Sequence, residues 1–339
     1  MSTVDIHSHF FPEAVPDFAG RFGTSGWPWV RRDGETRATI MIDEREFRPI
    51  TSACWDVDVR LEDMDRDGVD LQILCATPLM FAYDRPAPHA MDVARAYNDL
   101  ARELCARGRG RLFSLCQVPL QDVDAAAAEV SRAKRAGHVG VQIGNHVGPK
   151  NLDDEGLVDF LQHCAVEGIP VLVHPWDMLA PERMPKYMAG WTVGMPAETQ
   201  LAIVSLILGG GFDRLSRTLR LCFAHGGGSF AFLLGRLDNA WHNRDIARGV
   251  SRHPPSHYVD RFFVDGAVFD DRALGLLVDV MGHDRIMLGS DYPFPLGELR
   301  VGSLVRQSRH LSDQARRRVL GDTACEFFGL PGGAEGRPS

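Results

Sequence analysis

The sequence has no excess of basic residues. Its 339 residues include 37 Lys and Arg against 45 Asp and Glu, which gives a formal net charge of -8 at pH 7. Nucleic-acid binding requires a basic surface that neutralises phosphates, so we do not expect nucleic acid as a partner. An anionic small molecule is compatible with this charge, because a few arginines inside a cleft can reverse the local field.

The sequence also lacks the marks of a secreted or membrane protein. No CxxC pair occurs among its 7 cysteines, and several of them lie in apolar runs typical of buried, reduced thiols. The opening MSTVDIHSHF has neither the basic nor the long apolar segment of a secretory signal. The longest apolar stretch, around Leu201 to Phe212, is interrupted by glycines and too short for a bilayer. We therefore expect a cytoplasmic protein without a membrane span.

Short apolar, strand-like runs alternate with helix-like patterns along most of the chain. The predicted strands cover residues 4–10, 69–77, 111–119, 138–145, 170–176, 220–226, 261–268 and 285–292. The intervening helices have candidate N-caps such as Asp122, Asn151 and Asp270. This βα alternation predicts a parallel (β/α)8 barrel. A doubly wound open sheet is the alternative, because alternation alone does not establish closure.

Residues 11–56 do not fit a plain barrel. They contain Gly and Pro breaks, a tryptophan-rich GWPWV and an alternating TRATIMI. We interpret them as a small β insertion that folds over the mouth of the barrel. No repeat or linker indicates a second domain, so residues 1–330 are predicted to form one domain. The tail 331–339 is expected to be disordered.

Four residues far apart in the sequence stand at the ends of predicted strands. His7 and His9 lie in the first strand, His174 in the fifth and Asp291 in the eighth. Residues i and i+2 of a strand point to the same side, so the first two histidines can bind one ion together. Active-site groups of such barrels sit at the carboxyl ends of the strands, which would bring the four side chains into one cleft. Three imidazoles and a carboxylate predict one Zn²⁺ per chain, with a coordination position left open for water.

A further histidine, His225, ends the sixth predicted strand and is followed by three glycines and a helix. Glycines let the backbone approach a site closely, and a helix N-terminus favours anions. His225 is our candidate for the base that handles the proton of an activated water, and a fourth nitrogen ligand is the alternative. The base role is favoured because His174 and Asp291 already complete a ligand set. Asp291 and His225 are therefore the catalytic candidates.

Arginines and tryptophans supply the candidate substrate-binding groups. Arg48, in the insertion, can clamp a carboxylate with its guanidinium, and a solvated surface arginine is the alternative. Arg236 and Arg244 lie on the helix after HGGG, and a surface ion pair is the alternative for either one. Trp191, like Trp176, can line an unsaturated substrate, and packing in the core or at the rim is the alternative.

Taken together, these motifs resemble the amidohydrolase superfamily. The HxH pair indicates the superfamily, and LVHPWDM, HGGGSFAFLLGR and GSDYPFPLGE resemble its non-oxidative decarboxylases. The likeness runs from about residue 4 to residue 330 and also includes DIHSHFFP, FRPI, QVPLQD and MPAETQLAI. The resemblance implies a TIM barrel, a Zn²⁺ ion and loss of CO₂ from an unsaturated amino-dicarboxylate semialdehyde, without oxygen or an organic cofactor.

The same resemblance implies roles for individual residues. The ligands would be His7, His9, His174 and Asp291, matching the set derived above. His225 matches the catalytic histidine, and Arg48 matches a residue that binds a substrate carboxylate. Arg236 matches an arginine that reaches the neighbouring subunit's site, which would make a homodimer necessary for full activity. Binuclear relatives carry a modified lysine in the fourth strand, and HVGVQIGN has none, which favours a single metal ion.

Other functions stay open from the sequence. One is a related decarboxylase acting on hydroxybenzoate-type acids, and another is a mononuclear metal-dependent hydrolase or hydratase. A third, of a different class, is a non-catalytic metal-binding protein, although such a protein has little use for an open coordination position. The implied pathway is tryptophan catabolism by the kynurenine route or the breakdown of nitro- or aminobenzoate-type aromatics.

Overall fold

The computed structural model describes residues 2–331, so the predicted disordered tail lies outside the described residues except for Pro331. Within this range the strands are Val4–Phe10 (β1), Pro28–Arg32 (β2), Arg37–Ile42 (β3), Arg45–Thr51 (β4), Leu71–Ala76 (β5), Leu112–Cys116 (β6), Gly140–Gly144 (β7), His146–Val147 (β8), Lys150–Asn151 (β9), Val171–His174 (β10), Leu221–Phe223 (β11), Phe263–Asp265 (β12) and Ile286–Met287 (β13). The α-helices of the same residues are Phe18–Phe22 (α1), Val57–Asp67 (α2), Ala87–Arg107 (α3), Val123–Arg135 (α4), Glu155–Glu167 (α5), Met195–Leu208 (α6), Gly211–Arg214 (α7), Phe230–Asn243 (α8), Asp271–Met281 (α9), Ser303–Gln307 (α10), Asp313–Arg317 (α11) and Thr323–Phe328 (α12).

The main sheet of the described chain is an 8-stranded parallel barrel. Its strand order is β1-β5-β6-β7-β10-β11-β12-β13, so each barrel strand neighbours the next one along the chain. The two ends of the sheet meet, because the amide of Ile6 donates to the carbonyl of Leu288 at 2.9 Å and a parallel bridge joins Ser8 to Tyr292. The predicted (β/α)8 barrel is confirmed, and the alternative of an open doubly wound sheet is wrong.

Burial explains why the barrel strands could be found in the sequence. All six residues of β5 are buried, and so are all seven of β1. Helices cover the outer face of a parallel barrel and side chains fill its interior, so a strand such as β5 is largely apolar, whereas the buried polar residues of β1 include the histidines of the site.

The helix starts were predicted with one error. The side chain of Asp122 accepts a hydrogen bond from the Ala125 amide at the start of α4, and Asp270 caps α9 in the same way. Asn151 does not cap a helix, because it pairs with His146 in the short β8–β9 hairpin. The cap of α5 is Asp154, the last residue of the run NLDD.

The helical region after β10 is interrupted at Gly209, which gives the separate helices α6 and α7. Among the described residues, the segment Gly190–Leu208 is the one helical stretch long and apolar enough to cross a membrane by length and composition. Its residues Ile203 and Leu206 are fully buried in the protein core. Packing in the core therefore accounts for part of the apolar character of this segment.

The predicted β insertion is a three-stranded antiparallel sheet in the order β2-β3-β4. Its central strand pairs Ile40 with Val30 on one side and with Arg48 on the other. The sheet covers the carboxyl ends of the barrel strands, because Phe47 and Arg48 line the same cavity as His174. Thus the insertion supplies one wall of the cleft into which the barrel's histidines point.

Candidate active site

Four predicted ligands converge at the carboxyl end of the barrel. The ligand atoms of His7, His9, His174 and Asp291 all lie within 4.8 Å of one another. Nε2 of His9 is 3.1 Å from Nε2 of His7 and 3.0 Å from Oδ1 of Asp291. The barrel brings these side chains together because His7 and His9 share the inner face of β1, while His174 ends β10 and Asp291 follows β13.

Hydrogen bonds orient two of these imidazoles. Nδ1 of His174 donates to the carbonyl of Pro175 at 2.7 Å, so Nε2 is left buried with its lone pair directed at the cluster. Nδ1 of His7 lies 2.6 Å from Oδ2 of Asp265, and its Nε2 likewise faces the cluster. Nitrogen lone pairs and a carboxylate that converge in this way, with the rings of His7 and His174 fixed from behind, form the donor set of a divalent transition-metal ion. The residues present therefore fit a metal centre.

The pKa values of the cluster reflect burial and close charges. Burial, reinforced by the neighbouring histidines, lowers the pKa of His174 well below its usual value. For Asp291 burial alone would raise the pKa, but contact with His9 and the charges of His9 and His7 outweigh it and hold the pKa well below its usual value. Burial would also lower the pKa of His7, yet the hydrogen bond and charge of Asp265 reverse this and raise it. Imidazole ligands must be neutral, so a cation would compete with protons for these nitrogens.

His225 lies beside the cluster without belonging to it. Its ring centroid is 5.1 Å from those of His7 and His174, and its Nε2 is 3.9 Å from Oδ2 of Asp291. Burial, together with the charge of His7, lowers the pKa of His225, which leaves a neutral imidazole that can accept a proton.

The backbone around His225 is constrained by the glycines that follow it. His225 itself has φ of 55°, a left-handed conformation unusual for a non-glycine residue and common at functional sites. At Gly228, with φ of 64°, a Cβ would lie 2.2 Å from the carbonyl oxygen of Pro196. The HGGG sequence thus allows a tight turn to pack directly on the start of α6.

A cavity of about 960 Å³ opens above the cluster. Its floor includes His9, His174 and Asp291, and its walls combine aromatic rings with cationic side chains. The aromatic residues are Trp27, Phe47, Trp176, Trp191 and Phe294, and the arginines are Arg45, Arg48 and Arg85. Such a lining suits a planar, unsaturated anion.

Arg48 is the arginine best placed for a ligand. Its guanidinium carbon lies 4.5 Å from the ring centre of Phe294 and 5.8 Å from that of Trp191. No carboxylate of the described residues forms an ion pair with Arg48, although its side chain is half-buried. A guanidinium held by aromatic rings and facing a cavity without a carboxylate partner is suited to bind a ligand carboxylate.

The remaining predicted residues divide into two groups. Trp191 and Trp176 line the cavity, which is the position expected of residues that cover an unsaturated substrate. Arg236 is exposed on α8, outside the cavity lining and without a hydrogen-bond or ion-pair partner among residues 2–331. Arg244 directly follows α8. Within one chain, the structure does not bring Arg236 to the site.

Sequence reasoning missed several residues of the site. Asp265, which holds His7, ends β12 in the same way as the predicted ligands end their strands, so its position was a usable signal. Phe294, Arg45 and Arg85 line the cavity from loops and from the insertion. Their positions depend on how these segments fold over the barrel, and no short motif marks them.

Comparison with known proteins agrees with this geometry. The amidohydrolase family model matches residues 4–330. The chain belongs to the amidohydrolase family. It is 41% identical over 329 residues to a 2-amino-3-carboxymuconate-6-semialdehyde decarboxylase of Dictyostelium discoideum, covering 96% of this chain and 91% of that relative. The resemblance seen in the sequence is confirmed, and the chain is a carboxy-lyase of the amidohydrolase family.

Solved structures of the amidohydrolase barrel show the same fold. The IDCase of Metarhizium anisopliae superposes with a TM-score of 0.81 at 25% identity, over 97% of each chain. A dihydroxybenzoic acid decarboxylase from Polaromonas sp. JS666, with bound manganese and 2-nitroresorcinol, superposes with a TM-score of 0.77 at 21% identity, again over 97% of each chain.

Proposed function

We propose that this protein converts 2-amino-3-carboxymuconate 6-semialdehyde to 2-aminomuconate 6-semialdehyde and CO₂. The observation that carries the proposal is Arg48, whose guanidinium lies in the aromatic cavity above the His–Asp cluster and has no ion-pair partner among the described residues. The Dictyostelium relative, whose name gives this substrate, supports the choice. The substrate is a planar, conjugated dicarboxylate, which matches the aromatic and cationic walls of the cavity.

We assign His7, His9, His174 and Asp291 as ligands of one Zn²⁺ per subunit. Three imidazoles and a carboxylate suit zinc, although manganese, present in the Polaromonas structure, also accepts such donors. The ion would supply Lewis-acid polarisation and an activated water at neutral pH. The absence of lysine from β7 supports a single ion rather than two.

His225 is assigned as the proton-transfer residue, with Asp291 beside it. Replacing CO₂ by hydrogen breaks a carbon–carbon bond and requires one proton at the carbon that loses the carboxylate. In this role His225 would take a proton from water at Nε2 and pass it to that carbon; the burial that lowers the pKa of His225 and the 3.9 Å distance from Nε2 to the Asp291 carboxylate support the assignment. Its position outside the four-atom ligand cluster supports the proton-transfer role over that of a fourth nitrogen ligand.

Arg48 and Trp191 are assigned as substrate-binding residues within the same chain. Arg48 would pair with one carboxylate, while the rings of Trp191 and Phe294 hold its guanidinium and cover the conjugated chain. A substrate fixed in this way reaches the cluster in one orientation, and the guanidinium balances its negative charge.

We further propose a homodimer in which Arg236 binds the second carboxylate in the neighbouring subunit's site. Arg236 cannot serve its own cavity, since it does not line it, and it has no partner among the described residues. Phe232, one turn earlier on the same helix face, is 77% exposed. An exposed aromatic residue next to an unpaired arginine is the composition expected of an interface centre.

A reducing, cytoplasmic location is proposed from the cysteines. All seven are free, and six of them are buried. Thiols of this kind are typical of proteins that fold in a reducing compartment.

A panel of substrates tests the proposed function. Metal-loaded enzyme is expected to have a far higher kcat/KM for 2-amino-3-carboxymuconate 6-semialdehyde than for 2,6-dihydroxybenzoate. The reverse preference would establish the hydroxybenzoate-type decarboxylase. Consumption of the semialdehyde without CO₂ would instead indicate a hydratase or hydrolase.

A further inference from the structure

Asp265 connects the candidate metal ligands to the loop that carries His225. It ends β12, is completely buried and faces two groups of the site at once. Its Oδ2 lies 2.6 Å from Nδ1 of His7. Its Oδ1 accepts hydrogen bonds from the amide of Gly226 at 3.0 Å and from the amide of Ala267 at 3.1 Å.

We propose that Asp265 is a positioning residue that serves both the metal ligand and the proton-transfer residue. Through Oδ2 it keeps the proton of His7 on Nδ1, so that the lone pair of Nε2 is available to a cation. Through Oδ1 it anchors Gly226, whose φ is 63°, and thereby the backbone of the adjacent His225. The inference rests on the metal site of the proposed function but not on the identity of the substrate.

The carboxylate of Asp265 is bound by groups of the site and not by the outer helices. A fully buried charge is unfavourable unless it is paired and hydrogen-bonded, and both oxygens of Asp265 face donors at the site. Glu129 offers a contrast within the same chain. It is also completely buried, but its partners are Arg132 and Asn98 on the outer helices. Glu129 therefore holds helices together, whereas Asp265 holds the ring of a ligand.

An asparagine at position 265 cannot reproduce both contacts. Its single carbonyl oxygen can face either the two backbone amides of Gly226 and Ala267 or Nδ1 of His7. Two amide donors outnumber one, so the oxygen is expected to face the loop and the NH₂ group to face His7. An NH₂ donor at Nδ1 moves the imidazole proton to Nε2, and this tautomer cannot bind a cation through Nε2.

The test compares Asp265→Asn with Glu129→Gln, a matched neutralisation of a buried carboxylate outside the site. Metal affinity is measured by competition with a chromophoric chelator, and thermal stability is measured on the metal-free proteins. Asp265→Asn is expected to bind Zn²⁺ about 10- to 100-fold more weakly. The visible spectrum of its Co²⁺ form should also change. Glu129→Gln is expected to lower stability while affinity and the Co²⁺ spectrum stay as in the unmodified protein.

Unchanged Zn²⁺ affinity together with an unchanged Co²⁺ spectrum in Asp265→Asn would overturn the proposal. Because no substrate is used, this result is distinguishable from failure of the proposed reaction. Should Asp265→Asn not fold, NMR of the unmodified protein with ¹⁵N-labelled histidine decides the point. A strongly downfield Nδ1 proton on His7 in the Zn²⁺ form is expected, and a His7 ring protonated only on Nε2 would refute the assignment.

Discussion

Nε2 of His9 lies 3.0 Å from Oδ1 of Asp291, although the two residues stand near opposite ends of the chain. The contact exists because the last barrel strand returns beside the first, where the amide of His9 donates to the carbonyl of Tyr292 at 2.6 Å. The hydrogen bonds that close the barrel therefore also bring His9 and Asp291 together in the site. A variant that loosens this junction is expected to lose metal binding as well as stability.

His174→Ala should lose bound metal and activity together. The substitution removes an Nε2 atom that is buried and directed at the cluster, so one of the four ligand atoms is lost. Metal content by mass spectrometry and turnover are measured on the same preparation. His163→Ala, on α5 and bonded to Ser131, is the control and should keep both. A His174→Ala protein that retained one Zn²⁺ per chain would remove His174 from the ligand set.

His225→Ala should retain metal but lose about 10²- to 10⁴-fold in kcat, the usual range for a proton-transfer group. His225 lies outside the four-atom cluster, so its removal leaves the ligand atoms in place. Metal content and kcat at saturating substrate separate the two roles. Loss of metal in proportion to loss of rate would instead identify His225 as a ligand.

Arg48→Ala and Arg236→Ala should each inactivate the proposed homodimer and complement each other in mixed dimers. In a mixed dimer, one of the two sites has both mutations and the other has both native arginines, so about half of the activity should return. The measurement is the activity of dimers purified with two different affinity tags. Arg244→Ala, just beyond the same helix, is the control and should remain active. Mixed dimers without recovered activity would rule out a cross-subunit role for Arg236.

The pH dependence of stability should contain a contribution from His138, at the other end of the barrel. Burial, with the charges of Arg102 and Arg132, lowers the pKa of His138 to about 4, and its Nδ1 lies 3.0 Å from Oγ of Ser114. The unfolded chain binds the proton more readily than the native chain. The stability contributed by neutral His138 is therefore complete above the unfolded pKa near 6.5. It is lost as the pH falls from there through the folded pKa of about 4. This shift in the pKa of His138 corresponds to roughly 3 kcal/mol in the free energy of unfolding.

Denaturant unfolding between pH 4 and pH 7 measures this effect. His138→Gln should be less dependent on pH than the unmodified protein over that range. His283, whose side chain is 38% exposed, provides the control: His283→Gln should leave the pH profile of stability unchanged. Parallel profiles for His138→Gln and the unmodified protein would mean that His138 titrates normally when folded.

The sequence was sufficient for the barrel and for the cluster because both depend on local patterns. Runs such as LQILCA are mostly apolar, and the histidines and Asp291 stand where such runs end. Asp265 was missed although it ends β12, because no neighbouring motif separates a single aspartate at a strand end from a turn residue until His7 is known to lie beside it. Asn151 was misassigned because the run NLDD offers several capping residues and the β8–β9 hairpin decides between them.

The walls of the cavity could be predicted only in part. Arg48 and Trp191 were recognised as candidates, but Phe294, on which Arg48 stacks, was not. Their proximity arises from the insertion folding over the barrel mouth, which no spacing within the sequence encodes. The identity of the ion is equally beyond the sequence, because three imidazoles and a carboxylate bind several divalent metals.

The most direct test of the account is the amount of CO₂ released per molecule of 2-amino-3-carboxymuconate 6-semialdehyde consumed, measured as Zn²⁺ is titrated into metal-free protein. We expect the absorbance of the substrate to decay faster in proportion to Zn²⁺ up to one ion per chain, with one CO₂ trapped for each substrate lost. Full Zn²⁺ occupancy with no acceleration of the decay, or decay without CO₂, would contradict the proposed metal-dependent decarboxylation of this substrate.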